Sequence, residues 1–301
     1  MANSAPAKAA DTQPSTGIVW LASFPKSGNT WTRTFLHNLI KVQQAGEAGE
    51  QDINAMGRFS TWDILKNRYT DILGFEPSKD HCAEIAATRH QVQQQIADES
   101  DGIVFVKTHN ALVTDRGHTT INTAVTSGAV YIVRNPLDVA ISYAHHMSRS
   151  IDETITLMGT ENMETQVTEK VIYEVYGSWS QHVLSWTRTP HRAIYVMRYE
   201  DMLRDPEKEF GGLACHLLLS PNESQLAQAI ELSSFKKLRE QEDSKGFREK
   251  PQKAERFFRD GTAGQWQTQL SDEQIKRIVS DHREQMVRFG YIGSDGIPKA
   301  A

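Results

Sequence analysis

The feature that most constrains this chain is an apolar run that turns abruptly into a helical pattern near its start. Gly17 to Ala22 (GIVWLA) is continuous and apolar, and Ser23-Phe24-Pro25 ends it. From Asn29 onward Trp31, Phe35, Leu36, Leu39 and Ile40 recur at helical spacing, so the reading is a buried strand, a short polar loop and a helix. A loop of this kind leaves backbone N–H groups exposed at a helix N-terminus, where the dipole favours an anion. Gly28 lets an anion approach the backbone, Lys26 supplies charge, and Ser27 and Thr30 supply hydroxyls. The same residues can also make an ordinary polar turn, so the loop alone leaves both readings open.

The rest of the chain repeats the alternation. Gly102 to Lys107 (GIVFVK), Ala129 to Arg134 (AVYIVR) and Ala193 to Arg198 (AIYVMR) read as further strands. Helical patterns follow Pro136, cover Lys170 to Arg188 and Pro206 to Leu219, and close the chain over Asp272 to Arg288. Short strands between helices predict an α/β fold, a single-domain, P-loop-like three-layer structure with a mostly parallel sheet. With no repeat and no linker, one domain is expected over residues 17–292, with tails at 1–16 and 293–301. Gln241 to Arg256 is charged almost throughout and reads as a mobile loop, ordered only when an anion binds.

A chain of 301 residues can bury an adequate core without disulfides or metal, and Cys82 and Cys215 fit no metal spacing. A reducing compartment follows as the simpler expectation. Residues 1–16 are rich in Ala, Ser and Pro, resemble no signal peptide, and are expected to be disordered. No stretch approaches the roughly 18 apolar residues a membrane span needs, so no membrane partner and a cytoplasmic location are expected. A net charge of −5 argues against a general nucleic-acid binder. Any anion site must be local.

The loop is not the GxxxxGK[ST] of nucleotide kinases, because here lysine precedes glycine. The strand ending at Arg134 lacks the aspartate that would hold Mg²⁺ in such enzymes. Arginine can instead grip a phosphate directly, without a metal. Two alternatives stand beside group transfer from a metal-free donor. One is a kinase-like phosphoryl transferase. The other is a catalytically inactive nucleotide-binding module, which would be expected to lose Lys26, Lys107 or His109.

Several stretches together resemble one family. Phe24-Pro25-Lys26-Ser27-Gly28-Asn29-Thr30-Trp31 resembles the 5′-phosphosulfate loop of cytosolic-type sulfotransferases. Arg134-Asn135-Pro136-Leu137-Asp138-Val139-Ala140-Ile141-Ser142 is similar to their 3′-phosphate motif, and Arg259-Asp260-Gly261-Thr262-Ala263-Gly264-Gln265-Trp266 to their C-terminal signature. Tyr176-Gly177-Ser178-Trp179, with His182, Val183 and Trp186, and Tyr199-Glu200-Asp201 match further family stretches in the family's order.

The resemblance implies sulfuryl transfer from 3′-phosphoadenosine 5′-phosphosulfate (PAPS) to a hydroxyl or amine of a small acceptor, releasing 3′-phosphoadenosine 5′-phosphate (PAP), with no metal. Lys26, Ser27, Gly28, Asn29 and Thr30 would hold the phosphosulfate. Trp31, Tyr199, Ser233 and Phe235 would meet the adenine end, and Arg134, Ser142, Arg259 and Gly261 the 3′-phosphate. His109 would be the catalytic base, assisted by Lys26 and Lys107. His145 and His146 read as structural or acceptor-facing. A monomer or a homodimer fits. The chain departs from the family at Asp260, where lysine is usual, and lacks a familiar dimer segment over Gln265 to Gln274. Gln43 to Asp80 and Ile151 to Gln166, the expected acceptor-facing parts, match nothing legible.

Overall fold

The computed structural model describes residues 16–45, 51–251 and 254–299, so the expected N-terminal tail lies outside the described residues except for Thr16. Five parallel strands form one sheet in the order β2-β3-β1-β6-β7: β1 Gly17–Ser23, β2 Ser60–Trp62, β3 Ile103–Thr108, β6 Thr126–Val133 and β7 Ile194–Arg198. A small hairpin, β4 Thr114–Asp115 with β5 His118–Thr119, lies between β3 and β6. β1 sits at the centre, and all seven of its residues are buried. Its period of two sends Ile18, Trp20 and Ala22 into one apolar cluster and Val19 and Leu21 into another. A continuous apolar run is what a strand covered on both faces requires.

The second cluster is closed by α1 (Asn29–Ala45), α8 (Pro206–His216) and α9 (Glu223–Leu232) through Phe35, Leu36, Leu39, Phe210, Leu213 and Ala229. The first is closed by α3 (Cys82–Asp98), α4 (Pro136–Met147), α5 (Ile151–Gly159), α6 (Trp179–Thr187) and α12 (Asp272–Arg288). Short helices α2 (Lys66–Leu73), α7 (Tyr199–Arg204), α10 (Phe235–Lys245) and α11 (Trp266–Gln269) complete the described elements with two 3-10 turns, Ile53–Arg58 and Thr123–Val125. The sheet flanked by helices is the three-layer arrangement expected. Cys82 and Cys215 are free thiols. No helix among the described residues is long and apolar enough to cross a membrane.

Two expectations need correction. The helix read over Lys170 to Arg188 is confined to α6, and residues 170–178 are irregular, with isolated bridges at Val171 and Val175. Their backbone is consumed elsewhere: Ile172 N–H donates to the Ile64 carbonyl and Ala111 N–H to the Val175 carbonyl, at 2.9 and 2.7 Å. Gly177 then takes φ +63°, and Ser178 starts α6 with a capping box to Gln181. The charged segment from Gln241 is not a free loop either. Residues 241–245 are the last turn of α10, and beyond it Phe247 and Phe258 pack with Ile53, Met56 and Leu238 in a third apolar cluster. At the C-terminal end, Ile292 bridges to Pro298, and Lys299 N–H donates to the Tyr291 carbonyl at 2.9 Å.

Candidate active site

The C-terminal ends of β1, β3 and β6 open onto one cavity of about 570 Å³, where open parallel sheets bring their loops together. All the residues expected at the site line it except Ser27 and Ser233. The Ser233 hydroxyl instead donates to the Ala229 carbonyl of α9 at 2.8 Å and is fully buried, while its neighbour Ser234 reaches the wall. Ser27 lies under the loop, its hydroxyl buried with no protein partner.

The loop after β1 is held by its own side chains. Asn29 turns its amide nitrogen back onto the Leu21 carbonyl at 2.7 Å, so that donor serves the turn. Lys26 adopts φ +66°, unusual for a residue with a Cβ, and Gly28 φ +108°. A methyl group on Gly28 would come within 2.8 Å of the Tyr199 ring, so glycine is required by space as well as by backbone angle. Arg134 leaves the end of β6 and donates to the Lys26 carbonyl at 3.0 Å and the Thr262 carbonyl at 3.2 Å. Its guanidinium lies 4.2 Å over the Tyr199 ring, and its buried Nε has no protein partner. Arg134 thereby joins the loop to the C-terminal signature.

That signature is anchored by a residue whose role was not foreseen. Asp138, in the first turn of α4, accepts from the backbone N–H groups of Gly264 and Trp266 at 2.7 and 3.1 Å. Its place inside the Arg134 to Ser142 motif was the available signal. Gly261 takes φ +73° and packs so tightly on Phe235 that an added Cβ would lie 2.3 Å from the ring. Arg259 donates to Gln265, and Asp260 accepts from the Thr262 hydroxyl at 2.9 Å. Trp31 meets Tyr199 and Phe210 edge-on.

At the end of β3, His109 Nδ1 lies 2.6 Å from the Ser23 carbonyl oxygen. A carbonyl only accepts, so Nδ1 carries the proton and Nε2 keeps its lone pair. Burial, reinforced by the charge of Lys107, holds this imidazole well below the usual histidine range. It is therefore neutral at physiological pH, as a general base must be. Lys107 rests its ammonium 4.3 Å over the Trp62 ring, and Lys26 rests its own 4.0 Å over Phe257. Burial, then the charges of Arg134 and Lys107, lowers Lys26 to about 7. Lys26 is held beside Arg134 and Lys107 with Glu242 opposing their repulsion only in part, and such strain marks a place for an anion.

Glu174 was also missed, because it fell in the stretch read as helix. Its carboxylate accepts from the His109 backbone N–H at 2.8 Å and the Tyr176 hydroxyl at 3.1 Å. His146 lines the cavity and is pushed to about 3, mainly by burial, whereas His145 is exposed. His182 sits behind His109, its Nε2 3.0 Å from the His109 carbonyl and its Nδ1 2.9 Å from the Tyr131 hydroxyl. His182 and Tyr131 thus brace His109 from behind without lining the cavity.

The family model described as "Sulfotransferase domain" matches residues 17–290. Among characterised relatives, a flavonol 3-sulfotransferase of Flaveria bidentis is 22% identical over 86% of this chain and 78% of its own. Sulfotransferase 1A1 of Canis lupus familiaris is 24% identical over 90% and 83%. Among solved structures, a mouse sulfotransferase complexed with PAP superposes with a TM-score of 0.59 at 20% identity, covering 93% of this chain and 85% of that one. A retinol dehydratase complexed with androsterone and PAP gives 0.61 at 20%, over 89% and 80%. These likenesses confirm the three-layer fold. The family match runs unbroken from the first residue of β1 past the end of α12, and the chain belongs to the sulfotransferase family.

Proposed function

We propose that this enzyme transfers the sulfuryl group of PAPS to a hydroxyl or amine of a small acceptor by in-line displacement, releasing PAP. One observation carries the assignment of roles: a neutral His109, with its Nε2 lone pair free, shares a cavity with the Lys26 loop and Arg134. The buried, unpartnered Arg134 Nε, and the glycines at 28 and 261 where any side chain would clash, fit a bound dianion at each end of a nucleotide. PAPS supplies the activated S–O bond that breaks.

The chain's own residues do the rest. Lys26 and the loop N–H groups neutralise charge growing on the departing 5′-phosphate, a contribution of about 3–4 kcal/mol for one preorganised donor. Lys107 moves from Trp62 to the sulfuryl oxygens. His109 Nε2 takes the acceptor's proton as its oxygen or nitrogen attacks sulfur, worth roughly 10²–10⁴-fold. Arg134, Ser142, Arg259 and the Gly261 backbone hold the 3′-phosphate, and Trp31, Tyr199 and Phe235 flank the adenine. Asp260, in place of the family's usual lysine, leaves that phosphate one cation short, so Arg134 carries more of its binding.

The test is labelled PAPS or ATP offered with phenols, alcohols, amines and glycans, each with and without EDTA. Sulfation from PAPS that persists in EDTA is expected. Phosphorylation from ATP that EDTA abolishes would favour the kinase-like alternative, and PAP binding without any transfer the inactive module.

A further inference from the structure

Within the cavity, Glu174 is a buried carboxylate that the proposed donor chemistry does not use. It lies on the acceptor side, among Trp62, Ile64, Tyr143, Val171 and Tyr176. Its side chain is buried, the residue being 6% exposed, yet both of its hydrogen bonds come from neutral groups, the His109 N–H and the Tyr176 hydroxyl. An ionised carboxylate has about four acceptor positions, so two remain. An anion buried without an adjacent cation is costly, and a ligand cation relieves that cost.

We propose, building on the sulfotransferase reading, that Glu174 selects acceptors carrying a cationic group, such as a phenol with an alkylammonium arm, over anionic ones.

Three further observations support this. Of the two other carboxylates on the wall, Glu249 already forms a bidentate pair with Arg33, and Asp260 lies in the C-terminal signature beside the 3′-phosphate residues Arg259 and Gly261, where it accepts from the Thr262 hydroxyl. Lys107 is the cation that most opposes the upward push of burial on Glu174, but its ammonium rests on Trp62. In the proposed mechanism Lys107 turns to the sulfuryl oxygens, leaving Glu174 to the acceptor. The aromatic wall suits the body of such an acceptor, since an ammonium also gains from ring faces. Because Glu174 holds the backbone of His109, a group a few bonds from the reacting hydroxyl falls against the carboxylate.

The test uses three phenols of matched size, bearing aminoethyl, propyl or carboxyethyl at the para position. Their affinities for the PAP-loaded protein are measured by calorimetry, and kcat/KM wherever turnover occurs, in wild type and in Glu174→Gln. Glutamine keeps an oxygen for the His109 N–H and removes only the charge. Wild type is expected to bind the ammonium phenol about tenfold or more tighter than the propyl phenol, the effect of one charge-assisted contact, and the carboxylate phenol weakest. In Glu174→Gln the ammonium preference falls at least tenfold and the carboxylate phenol gains. Equal losses for all three phenols would mean that Glu174 only positions His109, and would overturn the proposal. So would a wild type that fails to prefer the ammonium phenol. Neither result touches the donor assignment, which fails separately if PAP itself does not bind.

Discussion

Truncating Glu249 tests how the wall beyond α10 stays shut. Arg33 lies on α1 with its side chain 0% exposed, and its two Nη atoms donate to both Glu249 oxygens at 2.9 and 2.6 Å. Its Nε reaches only the Ser60 hydroxyl, at 3.0 Å. Glu249→Ala therefore strands a buried guanidinium. Removing one partner of a buried pair costs about 3–5 kcal/mol. The Glu249 side chain keeps 19% exposure, so water can reach Arg33 through the gap, and we expect about 2–3 kcal/mol. The loss falls on the segment that Glu249 belongs to, so it appears as local opening. Hydrogen exchange at the amides of Arg248, Phe257 and Phe258, now bonded to Asn54 and Glu242, should accelerate roughly 30- to 150-fold. Amides of α12 should not change. Acid should act like the mutation. Burial alone would raise Glu249, but hydrogen bonds and charge from Arg33 hold it below 4.5. The pair is at full strength above that value and is lost as pH falls through the lower, folded one. Unaltered exchange at all three amides in Glu249→Ala would refute the latch.

Three other outcomes are expected. His109→Ala should abolish turnover and leave PAP affinity within about twofold, and wild-type activity should persist below pH 6.5, because burial keeps this imidazole neutral there; calorimetry beside a rate–pH profile checks both. PAP binding at pH 8 should take up about one proton, since Lys26 titrates near 7 in the free protein and an adjoining phosphate favours its charged form; titration in two buffers of different ionisation enthalpy measures this, and Lys26→Met should remove it. Gly261→Ala should weaken PAP binding at least tenfold, as the new Cβ meets the Phe235 ring from a left-handed backbone.

Much of the fold was legible because its signals are local. The β1 run, the Pro136 start of α4 and the periodicity of Asp272–Arg288 each announce their element within a few residues. Residues 170–178 misled because Val171, Val175 and Trp179 satisfy helical spacing, while their non-helical path is dictated by distant carbonyl and N–H partners. The Ser178–Gln181 capping box marked the true start of α6. The residues that the cavity gathers around the Lys26 loop and Arg134 were legible because an anion site needs a fixed order of strand, loop and cation. Glu174, Asp138 and the Arg33–Glu249 pair were not: each acts through a residue 65 or more positions away, and Glu174 and Glu249 lay in stretches whose structure was misread. Ser233 failed for a local reason, its hydroxyl being captured by the preceding helical turn.

The central claim is that the cavity holds a nucleotide charged at both ends, with Arg134 reading the 3′-phosphate. The most direct measurement compares the affinities of PAP and adenosine 5′-phosphosulfate, in EDTA, for wild type and Arg134→Ala. A charge-assisted phosphate contact contributes roughly 1.5–3 kcal/mol, so wild type should favour PAP by about ten- to a hundredfold. In Arg134→Ala that preference should collapse, with the singly phosphorylated nucleotide little affected. The latter also reports whether the loop that Arg134 staples at the Lys26 carbonyl remains intact. Equal affinities in wild type, or a preference for PAP that survives the loss of Arg134, would contradict the account.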